Sequence, residues 1–384
     1  MTPELVVTGL GMLHQAGQTP EDFWAWACRA PQLTIEAPGV VPLAPFTPEE
    51  LIPEDHVRRM DRMSQMLTVM ILKLMAGLGP GAVPDPDRVG LCSSTNLGTL
   101  DSILKFSRRV FAHGPQRANP MEFPSTVLNA SAGFACLETG LRGHNNTTCG
   151  SGSLAEAFDA LCLGRADAML ATGLEEAAGP QRQTVAQWAD GVPRPLSLGR
   201  NGCRLGEGAA GLFLEPGERA RGRKARVIAR YRAHASTYDA RGFDTLDPQG
   251  RELQRAVQLA LERAGLEPGH VRGIVVSASG LVDEDRRLAL ALDAVFGKGL
   301  AAVPLYAFSG LTGYVSGAAE AMGAVCACLA LQTRRWPASP WHVPDPDLPA
   351  VRIPAEAGGF DGEVVLSVTT DHFGDNHAHV FTRS

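Results

Sequence analysis

The feature that most constrains this chain is a cysteine set between a polar run and an amphipathic helix pattern, at residues 147–161. A strand that passes through a tight Gly/Ser turn into a helix leaves the turn residue exposed, with the first helical N–H groups pointing at it. This arrangement predicts that the helix dipole lowers the pKa of the Cys149 thiol and that the N–H groups hold an oxyanion. The alternative is that Cys149 is a small buried apolar residue, as most free cysteines are.

A second Gly/Ser turn precedes a helix pattern of small residues in the C-terminal part of the chain. It lies at 309–320, and the helix pattern continues through about Gln332. Because this segment echoes the Cys149 turn and its helix, the chain is predicted to consist of two related halves. Close packing of the two helices at a pseudo-twofold axis would explain the small residues at 317–319.

Strand and helix patterns alternate along the whole chain. Apolar runs predict strands at 5–12, 88–94, 168–173, 226–229 and 273–277. Helical periodicity is present at 20–27, 57–78, 103–111, 127–141, 253–264 and 285–296. The alternation favours a layered α/β architecture. The stretch 179–208, rich in proline and glycine, is predicted to be a functional loop near the site.

Composition limits the classes of protein to which the chain can belong. Its 384 residues, 45% of them apolar, can bury a large core in two domains or two fused halves. There is no apolar run long enough to span a membrane and no basic leader before Leu5, so a soluble, cytoplasmic protein is expected. The net charge of -6 argues against general affinity for nucleic acids.

Cysteines and charged clusters give weaker signals. The eight cysteines form no CxxC pair and no zinc-site spacing, so reduced thiols are expected and nothing indicates a metal or nucleotide cofactor. Basic clusters at 58–59, 108–109 and 219–226 are typical of solvated faces, and a functional one would suit an acidic protein partner. Asp167, Glu175 and Glu176 are expected to cap and hydrogen-bond around a strand end rather than to act in catalysis.

Five motifs, in the same order, resemble those of the β-ketoacyl-acyl-carrier-protein synthases, which have the thiolase fold. They are the opening strand at 6–11, the nucleophile motif at 148–152, the mid-chain loop at 194–195, 200–202 and 206–209, the histidine motif at 312–313 with 317–319, and the last loop at 373–374 with Asn376. The resemblance implies a layered α-β-α-β-α architecture of two thiolase-like halves. The first half is 1–217, with the Cys149 turn, and the second is 218–384.

The chain departs from this family at the partners of the nucleophile. In the family, two histidines activate the malonyl unit and stabilise the enolate and oxyanion, next to a lysine and a glutamate. The resemblance places Ser279 and Tyr314 at the histidine positions, Ser309 at the lysine position and Leu288 near the glutamate position. None of these side chains carries positive charge at neutral pH. The chain alone is therefore predicted to be a poor condensing enzyme.

Two functions fit a retained nucleophile with replaced partners. The first is a chain-length-factor-like partner subunit of an active ketosynthase in fatty acid or polyketide biosynthesis. The resemblance then implies dimerisation across the central sheet, with the segment 106–124, including Phe111, shaping an acyl tunnel at the interface. Cys149 is a mismatch to this hypothesis, because chain-length factors usually lack the cysteine.

The second function is an acyltransferase that uses Cys149 as an acyl carrier and passes the chain to an alcohol, amine or thiol without condensation. Its base would be His372, beside the substrate-binding candidates Phe373 and Gly374. The histidines at 377 and 379 alternate along a final strand and are expected to be loop or edge-strand residues. In either case the resemblance implies acyl groups on the phosphopantetheine of an acidic acyl carrier protein, and a homodimer or a heterodimer with a ketosynthase.

Overall fold

A computed structural model describes residues 3–29, 39–188, 194–241 and 246–384 of the chain. The strands are β1 (Leu5–Leu13), β2 (Val40–Val41), β3 (Val89–Thr95), β4 (Asn145–Cys149), β5 (Ala168–Glu175), β6 (Leu205–Gly206), β7 (Gly208–Pro216), β8 (Ala229–Tyr238), β9 (Gly273–Val276), β10 (Leu305–Ala307), β11 (Arg335–Trp336), β12 (Gly358–Gly359), β13 (Val364–Thr370) and β14 (Asp375–Thr382). The α-helices are α1 (Pro20–Ala27), α2 (Glu54–Val57), α3 (Arg62–Ala76), α4 (Leu100–His113), α5 (Ala130–Thr139), α6 (Ser153–Cys162), α7 (Gly179–Trp188), α8 (Gly217–Gly222), α9 (Arg251–Ala264), α10 (Val282–Phe296), α11 (Ser309–Thr312) and α12 (Ala319–Thr333).

The main sheet repeats one topology twice. Its order is β10-β9-β13-β14-β8-β1-β7-β5-β3-β4, and β1 meets β8 only over Leu5–Val7. In the N-terminal half, β7 pairs antiparallel with both β1 and β5, and β5, β3 and β4 are parallel. In the C-terminal half, β14 pairs antiparallel with both β8 and β13, and β13, β9 and β10 are parallel. This symmetry confirms the two related halves, whereas the boundary between 217 and 218 stays a prediction.

Helices cover the half-sheets in layers. The helices α6 and α12 form the middle layer, and their side chains share one apolar cluster with both half-sheets. The outer layers hold α3 and α5 on the N-terminal side and α9 and α10 on the C-terminal side. The helix α12 is buried on every side from Ala319 to Leu331, and in this range its sequence is apolar except for Glu320. The layered α-β-α-β-α prediction is therefore confirmed.

Small residues before α12 let the two halves approach closely. A Cβ atom on Gly317 would collide with the backbone of Thr95 in β3. The Ser94 hydroxyl donates to the Gly317 carbonyl at 2.9 Å, so this contact also joins the halves by a hydrogen bond. The small residue at 317 therefore allows close approach to a strand of the other half, whereas the sequence had predicted packing of helix against helix.

Three predictions of local structure were wrong in their bounds. The stretch 179–208 contains the helix α7, whose first N–H, that of Gly179, donates to Asp101 Oδ1 at 3.1 Å. The helix predicted at 57–78 is divided into α2 and α3, because Asp61 caps α3 by accepting from Ser64 N at 2.9 Å. The strand predicted at 226–229 begins at Ala229, where pairing with β1 begins.

The basic cluster at 219–226 is largely a structural element rather than a solvated face. Glu215 is fully buried in β7, and the guanidinium groups of Arg219 and Arg223 both contact its carboxylate. Burial opposes ionisation of Glu215, but Arg223, Thr8 and Arg219 lower its pKa. Two of the basic side chains are therefore committed to a buried carboxylate.

The helices of the described residues include none with the length and apolar character that a membrane span requires.

Candidate functional site

Cys149 lies in the strand–turn–helix arrangement that the sequence predicted. Cys149 is the last residue of the edge strand β4, and α6 begins four residues later at Ser153. Gly150 and Gly152 adopt φ values of +92° and +118°, which a residue with a Cβ atom would find strained. The Cys149 side chain is exposed, and its S–H donates to the Asn96 carbonyl at 3.4 Å. The alternative of a buried structural cysteine is therefore wrong.

The electrostatic environment of this thiol is the opposite of the predicted one. Partial burial raises the pKa of Cys149 above that of an ordinary thiol, and the carboxylates of Asp375, Glu175 and Asp371 raise it further. The lowered thiol pKa expected from the helix dipole was therefore wrong. Negative charge from these three carboxylates opposes formation of the thiolate.

A carboxylate from the other half of the chain occupies the beginning of α6. Glu320 Oε2 accepts from Gly152 N at 2.8 Å and from Leu154 N at 3.4 Å. The backbone of Ser151 is hydrogen-bonded to Asp375. The N–H groups that the sequence assigned to an oxyanion are thus bonded to carboxylates, and the Glu320 charge offsets the positive helix end.

Glu320 remains ionised although it is completely buried. Burial disfavours its charged form, but His379, His377 and the Gly152 N–H hold its pKa at about 2. Both histidines lie on β14, which is flanked by β13 and β8 inside the sheet. The prediction that they are loop or edge-strand residues was therefore wrong, since the sequence does not reveal the order of the strands.

In the last loop, at residues 371–375, a second set of backbone N–H groups is bonded to a carboxylate. Asp371 Oδ1 accepts from the backbone N–H groups of Phe373, Gly374 and Asp375 at 2.9, 3.0 and 3.1 Å. Burial and the charge of Asp375 raise the pKa of Asp371 to about 7, while these N–H groups act in the opposite direction. Beneath the loop, Arg287 Nη2 donates to the Asp371 carbonyl at 3.0 Å.

A cavity of about 330 Å³ lies beside the nucleophile turn. Four of the predicted site residues line it: Ser279, Tyr314, His372 and Phe373. Apolar side chains, among them Leu97, Leu100 and Leu281, form much of the remaining wall. Asn96, which accepts the Cys149 S–H, also lines the cavity and so connects it to the thiol.

A tyrosine–histidine pair is the most reactive arrangement in this cavity. Tyr314 Oη and His372 Nδ1 lie 2.8 Å apart. Burial and the negative charges of Glu284 and Asp371 raise the pKa of Tyr314 well above its usual value, so the phenol keeps its proton. With the phenol as donor, His372 Nδ1 is the acceptor. His372 of the last loop therefore places an imidazole beside Tyr314, the position at which the family has a histidine.

Other predicted residues lie elsewhere. The Ser309 hydroxyl donates to the Ala278 carbonyl, and Leu288 is buried in the outer apolar cluster of the C-terminal half. Gly374 has φ +106° and forms part of the loop turn. Phe111 is 88% exposed. Among the described residues, the cavity wall includes neither Ser309, Leu288 nor Phe111.

Sequence reasoning missed one acidic residue at the cavity, Glu284, and had given another, Glu176, a structural role only. Glu284 lines it and stands one helical turn before Leu288, where the resemblance had placed the glutamate position across a gap. Glu176 lines it as well, and burial raises its pKa to about 7. Glu175 also lines the cavity, and it accepts from Asn96 N and Gly317 N at 2.9 and 3.0 Å, as expected for a residue that organises a strand end. Asp167 pairs with Arg88 at the surface.

Two family models match most of the chain. The model "Beta-ketoacyl synthase, N-terminal domain" matches residues 46–220, and "Beta-ketoacyl synthase, C-terminal domain" matches residues 228–341. Similar curated proteins include 3-oxoacyl-[acyl-carrier-protein] synthase 2 of Staphylococcus aureus, 26% identical over 99% of this chain and 98% of the relative. The enzyme of the same name from Synechocystis is 25% identical over 99% and 98%.

Solved structures share the fold over the entire chain. The ishigamide ketosynthase/chain length factor aligns with a TM-score of 0.88 at 23% identity, and a β-ketoacyl synthase of Burkholderia phymatum aligns with 0.89 at 22%. A type II polyketide ketosynthase in complex with its acyl carrier protein gives 0.87 at 20%. Each alignment covers 100% of both chains.

Proposed function

Since the chain belongs to the β-ketoacyl synthase family, we propose that it serves fatty acid or polyketide biosynthesis as a chain-length-factor-like partner subunit of an active ketosynthase. One observation carries this proposal: carboxylates occupy the backbone donors around the nucleophile turn. Glu320 accepts from Gly152 and Leu154, and Asp371 accepts from the three N–H groups at 373–375. An oxyanion would have to displace a carboxylate from either set.

The charge around Cys149 supports the same conclusion. Decarboxylative condensation builds negative charge on an enolate and then on a tetrahedral oxyanion, both of which need positive or N–H partners. Here the charged groups that act on the thiol are the carboxylates of Asp375, Glu175 and Asp371, and all three raise its pKa. The loss of one positioned acid or base typically costs about a hundredfold to ten-thousandfold in rate. With Ser279 and Tyr314 at the two histidine positions, condensation by this chain alone should be very slow.

The surface around β4 is suited to a partner subunit. This edge strand is largely accessible, and a group of large apolar side chains nearby in sequence is exposed. The group comprises Phe111, Met121, Phe123, Val127, Leu128 and Leu137. An open strand edge beside exposed apolar residues favours association with another chain. A homologous ketosynthase offers a matching strand edge, and one structural neighbour is itself a ketosynthase/chain length factor.

The decisive experiment is co-expression of this chain, carrying the only affinity tag, with the ketosynthase encoded nearest to it. We expect a one-to-one complex that condenses acyl and malonyl carrier proteins, whereas this chain alone does not. Cys149→Ala should leave the activity of the complex within about twofold, because the partner supplies the reacting thiol. Phe111→Asp should weaken the complex, and Leu163→Asp, at a similarly exposed apolar residue of α6, is the matched control. A homodimer with ordinary synthase activity would contradict the proposal.

A second candidate, acyl transfer without condensation, is favoured by the pair of Tyr314 and His372. The Cys149 thiolate would attack the thioester of an acyl carrier protein, releasing the phosphopantetheine thiol and forming an S-acyl cysteine. His372 would then take the proton of an acceptor alcohol, amine or thiol as that group attacks the acyl carbon and the cysteine leaves. In both candidates the substrate is the acyl-phosphopantetheine of an acidic carrier protein.

Intact-protein mass spectrometry separates the two candidates. The chain is incubated with acyl-loaded carrier protein, with Cys149→Ala as the control. A covalent adduct that is absent from the control and is discharged to an acceptor would favour transfer. His372→Ala should then keep the adduct and lose its discharge. If the folded chain forms no adduct, the partner-subunit proposal stands.

A further inference from the structure

Three side chains with metal-binding groups meet in the middle layer, behind the nucleophile turn. Glu320 lies in the first turn of α12, and His377 and His379 project from the same face of β14. Glu320 and His379 have 0% exposure, and His377 has 5%. Their ligand atoms all lie within 4.8 Å of one another. A mixed set of one carboxylate and two imidazoles is more specific than a cluster of acidic residues.

The separations between these atoms fit a shared metal ion. Glu320 Oε1 lies 3.0 Å from His379 Nε2 and 3.8 Å from His377 Nδ1. In a tetrahedral zinc site, ligand atoms about 2.0–2.1 Å from the ion lie about 3.3 Å from each other. The observed distances bracket this value, so changes of a few tenths of an ångström would place all three atoms around one ion.

Two of these atoms lack satisfactory hydrogen bonds, and so does the other ring nitrogen of His377. Glu320 Oε1, His379 Nε2 and His377 Nε2 are buried and have no partner of acceptable geometry among the described residues. The short distance between Glu320 and His379 does not contradict this finding, because the direction of the ring N–H fails the angular requirement although the separation is suitable. Unsatisfied polar atoms in a core are costly, and the two that face each other, Glu320 Oε1 and His379 Nε2, indicate a missing partner, whereas the His377 nitrogen that lies near Glu320 is Nδ1.

The outer atoms of the cluster are held in place. Tyr231 Oη lies 2.6 Å from His379 Nδ1, so Nε2 is the ring nitrogen directed toward Glu320. The second Glu320 oxygen is fixed by Gly152 N. Such supporting contacts orient the ligands of known metal sites.

We propose that Glu320, His377 and His379 bind a divalent transition-metal ion of the zinc type. The ion would satisfy Glu320 Oε1 and His379 Nε2, bind His377 through Nδ1, and tie the beginning of α12 to β14. Through the second Glu320 oxygen it would also hold the first turn of α6. The alternative is a metal-free buried pair of Glu320 and His379, in which His377 Nδ1 keeps its contact with the Ser236 hydroxyl at 2.8 Å. This inference does not depend on the proposed function.

Metal content of the full chain, purified without a histidine tag and mixed with one equivalent of Zn²⁺, tests the proposal. After gel filtration we expect close to one zinc per chain by elemental mass spectrometry. Titration with Co²⁺ should give the visible absorption of a tetrahedral cobalt site. His379→Ala should reduce the bound zinc at least tenfold, and His113→Ala, at an exposed histidine, should leave it unchanged.

A milder variant keeps the test valid if His379→Ala fails to fold. Tyr231→Phe removes only the hydroxyl beside His379 Nδ1 and should weaken zinc about tenfold to a hundredfold in competition with a chelator. Folding of each variant is checked by circular dichroism. A folded wild-type chain that binds no zinc and shows no cobalt absorption would overturn the proposal. So would unchanged zinc content in a folded His379→Ala variant.

Discussion

The two glycine turns of the molecule stand at related positions in the two halves, yet they differ in what surrounds them. The turn at 150–152 presents an intact nucleophile, but carboxylates of the C-terminal half occupy its N–H donors. The turn before α12 carries Tyr314 where the family has a histidine, but the imidazole of His372, from the last loop, is bonded to this tyrosine. Residues of the C-terminal half therefore act on the chemistry of both turns, together with Glu175 of the N-terminal half at Cys149.

Glu320 is the clearest link between the turns. It belongs to the helix that follows the Tyr314 turn, but its carboxylate is bonded to the helix that follows Cys149. A residue in this position neutralises the helix end and tightens the packing between the halves at the same time. If the two turns are coupled in this way, changes in the C-terminal half should alter the behaviour of Cys149.

The largest expected effect follows the removal of this carboxylate. Glu320→Ala leaves the Gly152 N–H, His377 and His379 without their buried partner, and should lower the free energy of unfolding by about 3–5 kcal/mol. Urea denaturation followed by circular dichroism measures the loss. Glu320→Gln keeps the shape and one acceptor, so it should cost less, and Glu363→Ala at the surface should cost under about 0.5 kcal/mol. Equal stability of Glu320→Ala and wild type would show that the Glu320 carboxylate does not join the two turns.

The next largest effect is the pH dependence of Cys149 alkylation. Because the folded pKa of this thiol is raised above 9.0, the thiolate is the minor form at neutral pH. Its alkylation rate should therefore rise about tenfold per pH unit from pH 7 to 9, with no plateau in that range. Mass spectrometry of the 147–161 peptide after brief iodoacetamide treatment gives the profile. A plateau reached below pH 8 would show an activated thiol and would remove the contrast between the turns.

The sequence predicted features that depend on neighbouring residues and missed features that depend on contacts between distant segments. Periodicity and glycine turns involve only residues close together in the chain, so they predicted β1, α1, α9 and the strand–turn–helix arrangement around Cys149. The helix α7 was missed because its cap, Asp101, comes from a distant segment. The raised thiol pKa was missed for the same reason, since its three carboxylates approach Cys149 only through the fold.

The histidines of β14 show a second limit of sequence reasoning. Their i, i+2 spacing identified a strand and a common face, as observed. The position of that strand inside the sheet depends on pairing with β8 and β13, which the spacing does not encode. Glu320 likewise gave no sign of its role, because its partners lie far away in the chain. The pair of Tyr314 and His372 could be suspected only because both were singled out separately.

A smaller effect is expected when one of the three charges near Cys149 is removed. Asp375→Asn keeps the size of the side chain but deletes the charge that ranks first, after burial, among the causes of the raised thiol pKa. Alkylation of Cys149 at pH 8 should become about threefold to tenfold faster, because more thiolate is present. Asp347→Asn, at an exposed position in the C-terminal half, is the control. A slower reaction in Asp375→Asn would mean that this carboxylate does not act on the thiol through its charge.

The smallest effect concerns the second turn. Tyr314→Phe removes the hydroxyl bonded to His372 Nδ1 and should lower the free energy of unfolding by only about 1 kcal/mol, since one hydrogen bond is lost and the ring remains. Urea denaturation measures this change, and NMR titration of His372 shows whether the ring has lost its partner. Because Tyr314→Phe removes a neutral hydroxyl and leaves all three carboxylates near Cys149 in place, the alkylation profile of the thiol should not move. If that profile does shift, the two turns are coupled through the cavity as well as through Glu320.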